Sequence, residues 1–92
     1  MNISSELAAE LTEVRRLNNN IDLVLQYKEI ENPKRVDIMA IAKLHSPGLF
    51  DKASNLLKKL TDRTQAQGHS QDMDRLKEEM FVILGRCTGE EI

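Results

Sequence analysis

Two histidines, one cysteine and scattered carboxylates are the groups from which this 92-residue chain would have to build a reactive centre. His45 and His69 both fall at predicted connections, and neither has a helically spaced histidine, cysteine or paired carboxylate with which to hold a metal ion. Glu78 and Glu79 are adjacent, so a helix would set them about 100° apart, not as a facing acid–base pair. Cys87 stands alone, which rules out an intrachain disulfide and a cysteine-rich zinc site. It reads as a small apolar residue on a helix face. The four glycines stand singly, and none belongs to a glycine-rich phosphate loop following a strand. With three aromatic residues the chain offers little material for a substrate cavity. The expectation is a non-enzymatic protein with no cofactor and no small-molecule substrate.

A second kind of chemistry is the binding of polyanions. The formal net charge is −2, but it is unevenly spread. Residues 1–31 carry three basic and six acidic groups, residues 32–64 seven and three, and residues 65–92 three and six. In the basic middle third, Lys52, Asn55, Lys59 and Arg63 form a polar stripe on one predicted helix, with Lys58 beside it. A short turn separates that helix from the one before. This is the outline of a DNA reader helix, and DNA binding is therefore the alternative functional expectation. Its details fit poorly. If Ile41-Ala42 supplies the small-residue contact of the first helix, Lys52 falls where an aliphatic residue should be buried. If Ala40 supplies it, Leu44 occupies the turn position that favours glycine. The pI of about 5.7 is also low for such a domain. The other expectation for the basic island is that it sits against the acidic first and last thirds of the same fold.

The elements that must position these residues are helical. Leu7, Leu11, Val14, Asn18, Ile21 and Leu25 alternate steps of four and three, the spacing of a helix seam, and Leu17 and Val24 widen it. With Ser4 or Ser5 as cap, this first helix is predicted from about residue 4 to 31, a length of about 39 Å. Asn18-Asn19-Asn20 is its weak point, since asparagine competes for backbone hydrogen bonds. Asn18 either fixes register in an oligomer or lies at the seam's edge with Leu17 in the core.

Asn32-Pro33 reads as a cap followed by a first-turn proline, starting a helix over 33–45. Val36, Ile38, Met39, Ala40, Ile41, Ala42 and Leu44 make this segment apolar around most of its circumference. A strand is the competing assignment, but the alanines and Lys43 favour helix. Ser46-Pro47 repeats the signature for a third helix over 47–63, with Leu49, Ala53, Leu56, Leu57 and Leu60 inward and Phe50 at the margin. Helices two and three must then form a tight hairpin or a helix-turn-helix corner. After a polar loop capped by Ser70, a fourth helix over 71–87 places Met73, Leu76, Met80, Ile83 and Cys87 on one face, followed by a frayed tail at 88–92. The seams of the first and last helices would let them pack nearly antiparallel.

The sequence thus predicts one all-α domain over 1–92, a small bundle of about four helices with a long first helix. The N-terminus shows no charged leader and apolar run, and no window reaches the roughly 18 apolar residues of a membrane span, so the expected location is cytoplasmic. Leu23, Tyr27, Ile30 and Val82 are apolar but off the seams, more than a small monomer would cover. From this the expected partner is another protein, foremost a second copy of the chain. The dimer or partner face is assigned to Leu11, Val14, Asn18, Ile21, Leu25, Met80 and Ile83, with Lys52, Asn55, Lys59 and Arg63 left for an acidic partner or nucleic acid.

Overall fold

The structure is a computed structural model and describes residues 4–90. It contains α1 (Ser5–Tyr27), α2 (Arg35–His45), α3 (Leu49–Gln67) and α4 (Gln71–Thr88), with no strand among the described residues. Residues 35–45 are helical, which removes the strand alternative.

α1 begins as predicted, with Ser4 accepting a hydrogen bond from the Leu7 amide at 3.2 Å. It passes unbroken through Asn18–Asn20, because tertiary partners occupy the side-chain amides that would otherwise compete with the helix. Asn18 Oδ1 accepts from Arg86 at 2.8 Å, and Asn20 Nδ2 donates to the His45 carbonyl at 2.6 Å. The helix stops at Tyr27, four residues short of the expected Glu31. Ile30 donates its amide to the Leu25 carbonyl and Glu29 to the Gln26 carbonyl, both at 3.0 Å, while Ile30 folds back onto the core. This is a Schellman stop, whose pivotal residue is usually glycine. Here it is Glu29, at φ +57°. Because a side chain in the left-handed region costs about 1–2 kcal/mol, offset in part by glycine's greater chain entropy, Glu29→Gly should stabilise the protein by about 0.5–1 kcal/mol. A thermal midpoint raised by about 2–8 °C is the expected readout, and a lowered one would show that the Glu29 side chain has a compensating role.

Both proline starts are displaced. α2 begins after Lys34, whose amide donates to Asp37 Oδ2 at 3.1 Å, and Asn32-Pro33 stays outside the helix. Asp37, in the first turn of α2, takes the amide of the cap residue itself, a different role from the side-chain cap expected of Asn32. Ser46 closes α2 instead of opening α3: its buried hydroxyl donates to the Leu17 carbonyl at 2.7 Å. Gly48, at φ +84°, a conformation that only glycine takes without strain, then becomes the residue from which α3 starts. α3 runs four residues past Arg63. Thr61 and Thr64 return their hydroxyls to the Leu57 and Leu60 carbonyls, and Thr64 continues the buried face. At the far end Thr88 completes α4 and Gly89, at φ +71°, caps it, where a frayed tail was expected from residue 88. Residues 91 and 92 of that expected tail lie outside the described residues.

The order of contacts fixes the topology. Glu10 meets Lys59, Glu13 meets Lys52 and Asn20 meets His45, so α1 runs against the direction of α3 and the end of α2. Arg15 meets Glu79 and Asp22 meets Arg86, so α1 and α4 run the same way, not antiparallel. α2 and α3 share a three-residue connection, as tight as predicted, but they meet at a corner instead of lying side by side. Each packs instead on α1 and α4. One aliphatic core results, from Leu7, Leu11, Val14, Leu17, Ile21 and Leu25 of α1 through Ile41 and Ala42 of α2 to Leu49–Leu60 of α3 and Met73–Cys87 of α4.

Candidate interaction surface

The helix seams are spent on this core. Leu11, Val14, Ile21, Leu25, Met80 and Ile83 are each at most 9% exposed within the single chain. Asn18 is half-buried, and its polar mate is Arg86 of the same chain. Placing these residues on a partner face is therefore corrected: the two seams meet α2 and α3, which lie between them, so one chain closes what the spacing alone leaves open. Leu17 takes the core position and Asn18 the edge.

The basic stripe also looks inward across a groove of about 560 Å³ between α1 and α3. Lys59 forms an ion pair with Glu10 and lies 4.0 Å from Glu6, and Lys52 lies 3.5 Å from Glu13. Asn55 lines the same groove beside Lys58 and Asp62, while Arg63 is half-buried on the next turn. Positive and negative groups alternate along it, so no continuous cationic strip faces outward. Glu13 carries the largest electrostatic consequence. The Arg16 guanidinium grips both of its oxygens at 2.7 and 3.0 Å, Lys52 adds a second cation, and together they hold the carboxyl down at about 2 against an ordinary 4.5. A carboxyl depressed in the folded state contributes stability above its unfolded pKa and loses it as pH falls through the folded one. Acid titration should therefore erode stability between about pH 4.5 and 2, and Glu13→Gln should flatten that part of the profile. An unchanged profile in the variant would show that the pair is not formed in solution.

The reactive groups are placed apart. His69 Nδ1 lies 3.1 Å from Asp74, at the start of α4, and His45 closes α2 some distance along the bundle. Cys87 is buried, and desolvation pushes its thiol above the ordinary range, away from the nucleophilic thiolate. It borders an apolar groove of about 540 Å³ with Met39, Leu49 and Phe50.

What remains outward and apolar lies largely on α2 and the end of α1. Leu23 is 61% exposed, Tyr27 88%, Val36 58% and Leu44 73%. Val36, Ala40 and Leu44 follow one another at steps of four, a single ridge on the outer face of α2, whose opposite face buries Ile41 and Ala42. Asn20 touches the His45 carbonyl, so the later turns of α1, which carry Leu23, Val24 and Tyr27, lie beside α2. Phe50, Phe81 and Val82 are exposed elsewhere, on α3 and α4. The sequence signal for the α2 ridge was its apolar circumference. Which of its faces turned outward depended on where α1 and α4 packed. Comparisons with protein-family models, curated proteins and solved structures find no match to this chain.

Proposed function

We propose that the protein is a non-enzymatic interaction module that presents the outer ridge of α2, flanked by the end of α1, to a helix of a protein partner. One observation carries this reading: α2 buries Ile41 and Ala42 and packs Ile38 against the core, yet Val36, Ala40 and Leu44 on its other face stay exposed. Val36, Ala40 and Leu44 form an exposed ridge of the kind that packs into the groove of another helix. Adaptors, anti-factors and assembly chaperones work through such faces. The DNA-binding alternative has less support, because the lysines it needs are compensated by glutamates of α1.

The test uses Val36→Asp and Leu44→Asp, which replace exposed side chains and should leave helicity and thermal midpoint nearly unchanged. Retention of protein partners from native extract should be lost in both variants and insensitive to nuclease. Duplex retention should stay negligible at physiological salt. Nuclease-sensitive retention, or affinity for duplex falling steeply with salt and weakened by Lys52→Ala, would replace this reading with the DNA-binding one.

A further inference from the structure

On one flank the α2 ridge falls away into the apolar groove of about 540 Å³ that Cys87 borders. Met39 and Lys43, one turn apart, form its near wall, on the flank of the ridge opposite to Asp37. Phe50, exposed on the first turn of α3, stands on the other side, and buried Ala42, Leu49 and Cys87 make the floor. The other polar side chains of the groove are already engaged. The Ser46 hydroxyl donates to the Leu17 carbonyl at 2.7 Å, and the Thr88 hydroxyl to the Leu84 carbonyl at 3.1 Å. Lys43 is exposed and has no ion pair or hydrogen bond among the described residues. No carboxylate lines the groove, since neither Asp37 nor Asp51 reaches it. In the α1–α3 groove, by contrast, Lys52 and Lys59 stand against glutamates of the same chain. We infer that the partner of α2 is an acidic amphipathic helix, which places a bulky apolar side chain between Met39 and Phe50 and a carboxylate, one turn away, on Lys43.

The inference rests on α2 being the binding face and adds the chemistry of the occupant. An apolar cleft whose one unengaged polar group is a cation at the rim complements a ligand with an apolar body and a single negative charge. Protein interfaces are anchored in this way, by a bulky side chain in a preformed pocket, while the charge sets orientation and specificity more than affinity. The ridge beside the groove points to a helix as the bearer of both groups. Val36, Ala40 and Leu44 extend along about 12 Å of α2, more than one side chain covers, and a helix presents residues three and four apart on a single face. Met39 and Lys43 are about 6 Å apart along the axis of α2, which one turn of the partner matches.

A displayed library of amphipathic helical peptides, selected on the full chain, supplies the probe. The selected peptides should share a bulky apolar residue with an aspartate or glutamate three or four positions away. Phe50→Asp should release them without loss of helicity in the protein. Lys43→Glu should weaken them about tenfold, through the pair lost and the repulsion introduced, and a peptide whose acid is exchanged for lysine should regain binding to that variant. Lys58→Glu, in the α1–α3 groove, should leave affinity unchanged. Peptides without a preference for acids, binding indifferent to Lys43→Glu, or a selection that yields no binder overturns the inference. If Val36→Asp and Leu44→Asp release the peptides while Phe50→Asp and Lys43→Glu do not, only the groove and its charge fail, and α2 stands as the binding face. If Phe50→Asp and Lys43→Glu release them while the two ridge variants do not, the groove stands and the ridge reading fails.

Discussion

Ile21→Ala is expected to cost about 2–5 kcal/mol, a large share of the roughly 5–15 kcal/mol that holds a domain folded. Ile21 has no exposed surface and belongs to the one core that α1 shares with α2, α3 and α4. Truncating it leaves a cavity that four rigid helices cannot collapse around. The loss should be the same at low and high protein concentration, because the seam is closed by the chain's own helices. A deficit that grows on dilution would instead place Ile21 at an interface between chains. Chemical denaturation at two concentrations a hundredfold apart separates these outcomes.

Arg86→Ala should be the most costly change outside the core. α1 and α4 lie too far apart for close backbone packing, and long side chains join them. The Arg86 guanidinium, one-fifth exposed, reaches Asp22 at 2.7 Å and Asn18 Oδ1 at 2.8 Å, tying α1 to the last turn of α4. The pair with Asp22, whose side chain is 59% exposed, contributes at most about 1 kcal/mol, and the bond to the half-buried Asn18, which the variant leaves without its partner, about 1 kcal/mol more. The thermal midpoint should fall by about 6 °C or more. Arg86→Lys should recover only part of this, since one ammonium cannot reproduce the two-pronged geometry. A midpoint within a degree of the parent would mean that the two helices are joined by the core alone.

The four helices were legible because periodicity and caps are local: Ser4, Ser70 and the seams of α1 and α4 act where they stand in sequence. Helix ends were less so. Asn32-Pro33 and Ser46-Pro47 carry the right residues for a start, yet α2 starts at Lys34 with Asp37 holding its amide, and α3 starts at Gly48 because Ser46 is drawn inward by the Leu17 carbonyl from 29 residues away. No sequence window contains that bond. The partner face was misplaced for a related reason. A seam such as Leu11 to Leu25 states that something must cover it without saying what, and here the chain's own α2 and α3 do so. The complementary charges of the basic middle and acidic ends were readable from the sequence, and Lys52 and Lys59 stand against Glu13 and Glu10 as that pattern implied. The outward ridge of α2 became visible only once its inward face had been assigned.

The most direct test of α2 as the binding face is a photo-crosslinking amino acid placed at position 44 and, in a separate variant, at position 55, each irradiated in the native cell. Both positions are exposed, one on the α2 ridge and one in the α1–α3 groove. Protein adducts from position 44, and none above background from position 55, are the predicted result. Adducts from position 55 to nucleic acid or protein, with position 44 silent, would contradict it.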